Sequence, residues 1–176
     1  RAAEKKEQGA FNKAINLYQI VASEQNNPEP WLRIGEIYLE MEKRTDAIKA
    51  YKAVLEFDPE NQEANQLLRE IHDHFVASGE EIFQNRRFSQ AAAIFERALT
   101  AVRIPETVER AASVYRQLKK EDKVEELMAE HDDMVEQERE RAREAQRQDF
   151  ITKGKLFLEK KAYEKALDSL EKAFRM

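Results

Sequence analysis

PEPWLRIGEIYLEMEKRTDAIKAYKAVLEFDPEN, residues 28–61, reads as two amphipathic helices joined by a short turn. Trp31, Ile34, Ile37, Tyr38 and Met41 recur at spacings of three and four, the stripe of a helix with one buried face. Gly35 lies inside that stripe, where glycine costs about 1 kcal/mol of helix propensity relative to alanine. A glycine kept there points to the close approach of a neighbouring helix, which a Cβ would hold off. Ala47, Tyr51 and Leu55 supply the facing stripe on the second helix. Asp58-Pro59 ends the unit, because the residue before a proline is pushed out of the α region.

The second helix of this unit recurs. Five copies align on a small or β-branched residue, Ala14, Ala47, Ala91, Val124 and Ala166. Four residues after it stands Tyr18, Tyr51, Phe95, Met128 or Leu170, always bulky and apolar. Three residues before it stands Phe11, Arg44, Phe88, Glu121 or Tyr163. The residue two before it is Asn12, Thr45, Ser89, Asp122 or Glu164, and the first four of these are of the type expected to cap a helix start. First helices repeat too: Phe75, Gly79 and Ile82, then Phe150, Gly154 and Phe157, stand where Trp31, Gly35 and Tyr38 stand. The fourth copy has Ala111 and Ala112 at the junction, and the first has Ala2 at the glycine position.

The steps between copies are 33, 44, 33 and 42 residues, so extra sequence precedes the third and fifth. No glycine or proline interrupts 60–78 or 106–151, and both extras therefore read as helix. Ala64, Leu67, Leu68, Ile71 and Phe75 form an apolar stripe in the first. In the second, Asp133 and Glu136 resemble a capping box that would start a helix running to Lys160. Its opening turns offer four charge pairs, Glu136–Arg139, Glu138–Arg141, Glu140–Arg143 and Glu144–Arg147, each worth about 0.2–0.5 kcal/mol. Ten extra helical residues add about 15 Å, so the two long helices are expected to project.

Trp31, Ile34, Gly35, Tyr38, Ala47, Tyr51, Leu55 and Pro59 together resemble the tetratricopeptide-repeat family, whose period is about 34 residues. The resemblance implies an all-α, right-handed solenoid of antiparallel helix pairs, with elongated first helices in the third and fifth repeats. The expected repeats span 1–27 (truncated), 28–61, 62–104, 105–132 (degenerate) and 133–176 (truncated at its end). Both ends of the chain fall inside helical pattern, which reads as a piece of a longer protein.

The resemblance also implies a protein-interaction scaffold, with first helices lining a concave groove for a peptide or helix. Carried onto this chain, the groove positions are Glu29, Leu32, Glu36, Leu39 and Glu40, then Asp73, Val76, Glu80, Phe83 and Gln84. Later copies offer Glu109, Ser113, Arg116 and Gln117, then Gln148, Ile151, Lys155, Leu158 and Glu159. Family members that clamp a terminal carboxylate use lysine, arginine and asparagine, whereas this chain has Leu32, Arg33, Glu36, Asp73 and Ala77. A carboxylate clamp is not expected. The acids could simply solvate a helix face. The sharper alternative is a basic, partly apolar partner segment, for which complementary charge would set register. Other readings are an oligomer-forming arm built on the long helices, making a homo-oligomer, or a regulatory tail of a signalling or enzymatic protein.

Composition narrows the classes. Charged residues are 37% of the chain, net charge is −5, and there is no cysteine, so a thiolate metal site and disulfides are excluded. No basic stripe suggests nucleic acid, and no apolar run approaches a membrane helix. With no signal peptide in this stretch, a cytoplasmic location is the expectation. His72 and His74, about 200° apart on a helix, cannot share a metal, and His131-Asp132-Asp133 reads as capping at a helix junction. With no phosphate loop and no activated nucleophile, neither an enzyme, a metal nor a cofactor is expected.

Overall fold

The computed structural model describes residues 2–24 and 27–175. Among them stand eight helices and no strand: α1 (Ala2–Glu24), α2 (Glu29–Glu40), α3 (Arg44–Phe57), α4 (Gln62–Gln84), α5 (Phe88–Ala101), α6 (Pro105–Gln117), α7 (Glu121–Glu159) and α8 (Tyr163–Phe174). The fold is all-α. Contacts divide it into two units, Arg1–Glu125 and Glu126–Met176. In the first, each helix from α1 to α6 packs on the next.

Glycine sets the closeness of the helix pairs. A Cβ built on Gly35 would sit 2.6 Å from Cζ of Tyr51, and one on Gly79 would sit 3.0 Å from Cε2 of Phe95. On Gly154 it would meet Cγ of Leu170 at 2.7 Å. Each glycine lies sixteen residues before its bulky partner, so one register operates in three copies. Tyr51 and Phe95 are fully buried by this packing, and the core of the first unit grows from there. Ala47, Ile48 and Val54 of α3 meet Ala64, Leu68, Ile71 and Phe75 of α4 in one cluster.

The turn within each pair has its own register. Glu42, Arg86, Lys119 and Lys161, seven residues past the glycine or alanine position, adopt φ of 55–57°. The following N–H closes back five residues along the chain. Lys43 N donates to Tyr38 O at 2.8 Å, Arg87 N to Ile82 O at 3.2 Å, Lys120 N to Tyr115 O at 3.1 Å and Ala162 N to Phe157 O at 2.8 Å. This is the left-handed helix ending that glycine usually supplies, here made with charged residues. It corrects the expected caps. Lys43, Arg87 and Ala162 occupy the cap positions of α3, α5 and α8, with no side-chain cap bond. Thr45, Ser89 and Asp122 therefore lie inside the first turn. Asn12 lies within α1, which runs straight through Gly9, the residue in register with the left-handed positions.

Between pairs, proline makes the break. Pro28 is the cap residue of α2, Pro59 separates α3 from α4, and Pro105 opens α6. Asn61 caps α4, its side-chain oxygen accepting from Ala64 N at 3.0 Å. No proline stands between α6 and Met176, and α7 runs unbroken for 39 residues, about 58 Å. The capping box at Asp133 and Glu136 therefore starts nothing, and His131, Asp132 and Asp133 lie mid-helix rather than at a junction. Residues 136–149 of α7 are exposed on every side. Of the four expected charge pairs there, Glu136–Arg139 and Glu144–Arg147 close, each at 3.5 Å.

The left-handed turns carry a stability consequence. Non-glycine residues are strained there by about 1–2 kcal/mol, while glycine's extra freedom in the unfolded chain returns about 0.5–1 kcal/mol of that. Arg86→Gly and Lys119→Gly should each raise stability, by up to about 1 kcal/mol. Urea denaturation checks this; a lower midpoint in both variants would contradict the assigned turn.

Candidate functional site

The candidate groove lies on α2 and α4, both in the first unit. Their exposed edges carry the acids, and their inner edges supply the core. Leu32 departs from expectation: it is only 5% exposed and packs in the main core cluster. Leu39 and Val76 are half-buried against the same cluster. The reason lies in the neighbouring repeat. The long α4 sends Leu68, Ile71 and Phe75 into the cluster that holds Leu32, a contact that single-helix periodicity does not register.

Phe83 is held as well. The Arg110 guanidinium lies 4.3 Å above its ring, and Phe88 packs at 5.3 Å between centroids. Arg110, on α6, makes a two-pronged ion pair with Glu80 while stacking on Phe83. Both charged side chains are 33% exposed. The Glu80 hydrogen bonds hold the Arg110 guanidinium above its ordinary pKa. Glu80 is thus neutralised across the repeat rather than offered to a partner.

The remaining acids are held more loosely. Arg33 reaches Glu29 at 2.8 Å and Glu36 at 2.9 Å, all three side chains at least 40% exposed. Hydrogen bonds that Arg33 donates to Glu36 and then to Glu29 raise its pKa. Such surface pairs exchange with solvent at little cost. Glu40 is exposed, and among the described residues no ion pair holds it. Asp73 is exposed but accepts from His72 Nδ1 at 2.8 Å. The buried His72 ring uses Nε2 to meet the Thr107 hydroxyl, 2.9 Å away on α6. A carboxylate can only accept, so Nδ1 carries the proton that it donates to Asp73. His74 is exposed on another side of α4, and among the described residues no group of three or more acidic or imidazole side chains could hold a metal.

Arg110 was the residue that sequence reasoning missed, and its signal was register. It stands two before Ala112, as Arg33 stands two before Gly35; Glu80 follows Gly79 as Glu36 follows Gly35. An arginine of one copy therefore meets the glutamate of the copy before it. The third copy has Ala77 at that position, so Glu36 lacks a cross-repeat partner and turns to Arg33 on its own helix. In the fourth copy Glu109, Arg116 and Gln117 are exposed and Ser113 half-buried. Gln84 and, in the second unit, Gln148, Lys155, Leu158 and Glu159 are exposed, with Ile151 half-buried.

Residues 6–72 match the family model described as tetratricopeptide repeat. That stretch takes in most of α1, all of α2 and α3 and the first half of α4. No curated protein matches the chain. Among solved structures, a crystal structure of MamA is 21% identical, covering 98% of this chain and 91% of that one, at a TM-score of 0.32. MamA 41-end from Desulfovibrio magneticus RS-1 is 15% identical, covering 98% and 89%, also at 0.32. A further MamA crystal structure is 20% identical, covering 98% and 86%, at 0.31. Likeness at that level transfers nothing to this chain. No described helix is long and apolar enough to cross a membrane.

The two arginines should separate in their effect on stability. Arg110→Ala removes a partly buried ion pair and a cation–π contact, and should cost about 1–2 kcal/mol. Arg33→Ala removes exposed pairs only and should leave the midpoint nearly unchanged. Thermal midpoints decide it; equal losses would mean that Arg110 does not tie α6 to α4.

Proposed function

We propose that the chain is a protein-interaction scaffold that receives a basic, partly apolar segment of a partner along the face of α2 and α4. The observation that carries this is the state of Glu29, Glu36, Glu40 and Asp73. They are exposed or half-exposed acids on successive first helices, opposed on α2 only by the exposed Arg33. Lysine or arginine on a partner can replace Arg33 at Glu29 and Glu36 without opening the core. In tetratricopeptide proteins first helices line a concave groove, and these positions fall on that face.

The apolar side chains play a lesser part than their types suggest. Leu32 is committed to the core, Phe83 lies under Arg110, and Glu80 is paired. The half-exposed edges of Leu39 and Val76 are left to meet a partner's apolar groups. Recognition on this reading is mainly electrostatic, so it should be fast and salt-sensitive.

A labelled peptide alternating Lys or Arg with Leu, titrated into the chain at several salt concentrations, tests the reading. The parent should bind with affinity that falls as salt rises. Glu36→Lys with Glu40→Lys should slow association about tenfold and flatten the salt dependence, with the unfolding midpoint nearly unchanged. Equal affinity for parent and variant would move the binding surface elsewhere.

A further inference from the structure

The third copy carries a hydroxyl in a setting that no other copy repeats. Ser89 is exposed in the first turn of α5, and among the described residues its hydroxyl has no hydrogen-bond partner. Other exposed hydroxyls differ. Thr100 donates to Glu96 O and Thr152 to Gln148 O, each at 2.8 Å, so both are occupied on their own helices. Thr45 shares the register of Ser89, but the residue three before it is the acidic Glu42. Three and two before Ser89 stand Arg86 and Arg87, both exposed. Among the described residues no acid pairs with either arginine. Arg86, Arg87 and Ser89 line one pocket of about 390 Å³.

The internal register says what charge belongs at this position. The fourth copy reads Lys119-Lys120-Glu121-Asp122 where the third reads Arg86-Arg87-Phe88-Ser89. The two turns share a backbone. Arg86 and Lys119 have φ of 57° and 55°, and the next N–H closes on Ile82 O in one and on Tyr115 O in the other. In the fifth copy the position is Glu164, three residues past Lys161. Twice in this chain, therefore, a carboxylate follows the cationic turn at the place that Ser89 holds. The third copy has the cations without the anion, and its hydroxyl is the group that can acquire one.

We propose that Ser89 is a phosphorylation site for a serine/threonine kinase that selects basic residues ahead of its target, and that Arg86 and Arg87 first present Ser89 and then hold the phosphate. Two cations at fixed offsets are what an acidic substrate cleft selects. In the transfer the Ser89 oxygen attacks the γ-phosphorus of ATP and a new O–P bond forms. The bond from that phosphorus to the β–γ bridging oxygen breaks, ADP leaves, and a base on the kinase takes the hydroxyl proton. The product carries a charge of about −1.5 to −2 and acceptor oxygens that arginine meets in two-pronged pairs. The modified third copy then has the charge order that Asp122 gives the fourth. This site stands independently of the acidic face of α2 and α4.

The test incubates the whole folded chain with MgATP and the catalytic subunit of the cyclic-AMP-dependent protein kinase, an enzyme with that basic preference. Tandem mass spectrometry should find phosphate on Ser89, and Ser89→Ala should lose it. Arg86→Gln with Arg87→Gln should cut the initial rate at least tenfold. Both side chains are exposed, so parental helix content is expected. A phosphorus NMR titration then reads the phosphate itself. Its second pKa should lie below the value of about 6 for a free phosphoserine, because the guanidinium groups favour the dianion, and should rise toward that value in urea. An unmodified Ser89 in the folded chain, or an equal rate in the arginine variant, overturns the proposal. So does a phosphate that titrates alike in the folded chain and in urea, since the folded turn would then not hold it.

Discussion

Three helix pairs are spaced by how closely a bulky side chain of the second helix can lie on the first. In the second copy the Tyr51 ring rests where a Cβ of Gly35 would be, and in the third Phe95 rests on Gly79. Ring and glycine stand sixteen residues apart, a separation that includes one turn of fixed geometry. The turn must therefore place both helices in the same register each time, and the recurrent φ near 57° at Glu42, Arg86, Lys119 and Lys161 does so. The Tyr51 hydroxyl is buried without a hydrogen-bond partner, and burial, followed by the nearby Glu36, Glu63 and Glu70, pushes its pKa up. Phe95 fills the same place with no hydroxyl at all. The ring, and not its polar atom, is what the packing requires.

Much of this was legible in the residues. A glycine inside an apolar stripe, with a bulky residue at constant distance, specifies a close helix pair. The prolines mark where pairs separate. Two misreadings share one cause, which is that single-repeat periodicity does not report contacts between repeats. Leu32 lies at the flank of its own helix's stripe and is buried in a cluster that also takes in α3, α4 and α5. Glu80 looks like a free groove acid until Arg110 arrives from α6. The cap residues failed for a different reason. Once the turn is closed by a left-handed residue, the next residue becomes the cap, and Thr45 and Ser89 fall two residues too late to serve.

The fourth junction shows the same rules operating by absence. Earlier junctions break at Pro28, Pro59 and Pro105. Where proline is missing, helix propensity carries the chain on, and acid-rich sequence that could have capped a new helix becomes the middle of α7. The first unit holds a packed core with loosely paired acids at its edge.

The ring of Tyr51 and the missing Cβ of Gly35 act as one interaction, and the rest of the fold depends on it. A double-mutant cycle tests this by comparing Gly35→Ala in the parent with Gly35→Ala in a Tyr51→Leu background, both by chemical denaturation. In the parent the alanine should overpack the pair and cost about 1–3 kcal/mol despite its better helix propensity. With the ring gone, most of that cost should vanish, leaving a coupling of at least about 1 kcal/mol. Additive effects of the two substitutions would contradict the account.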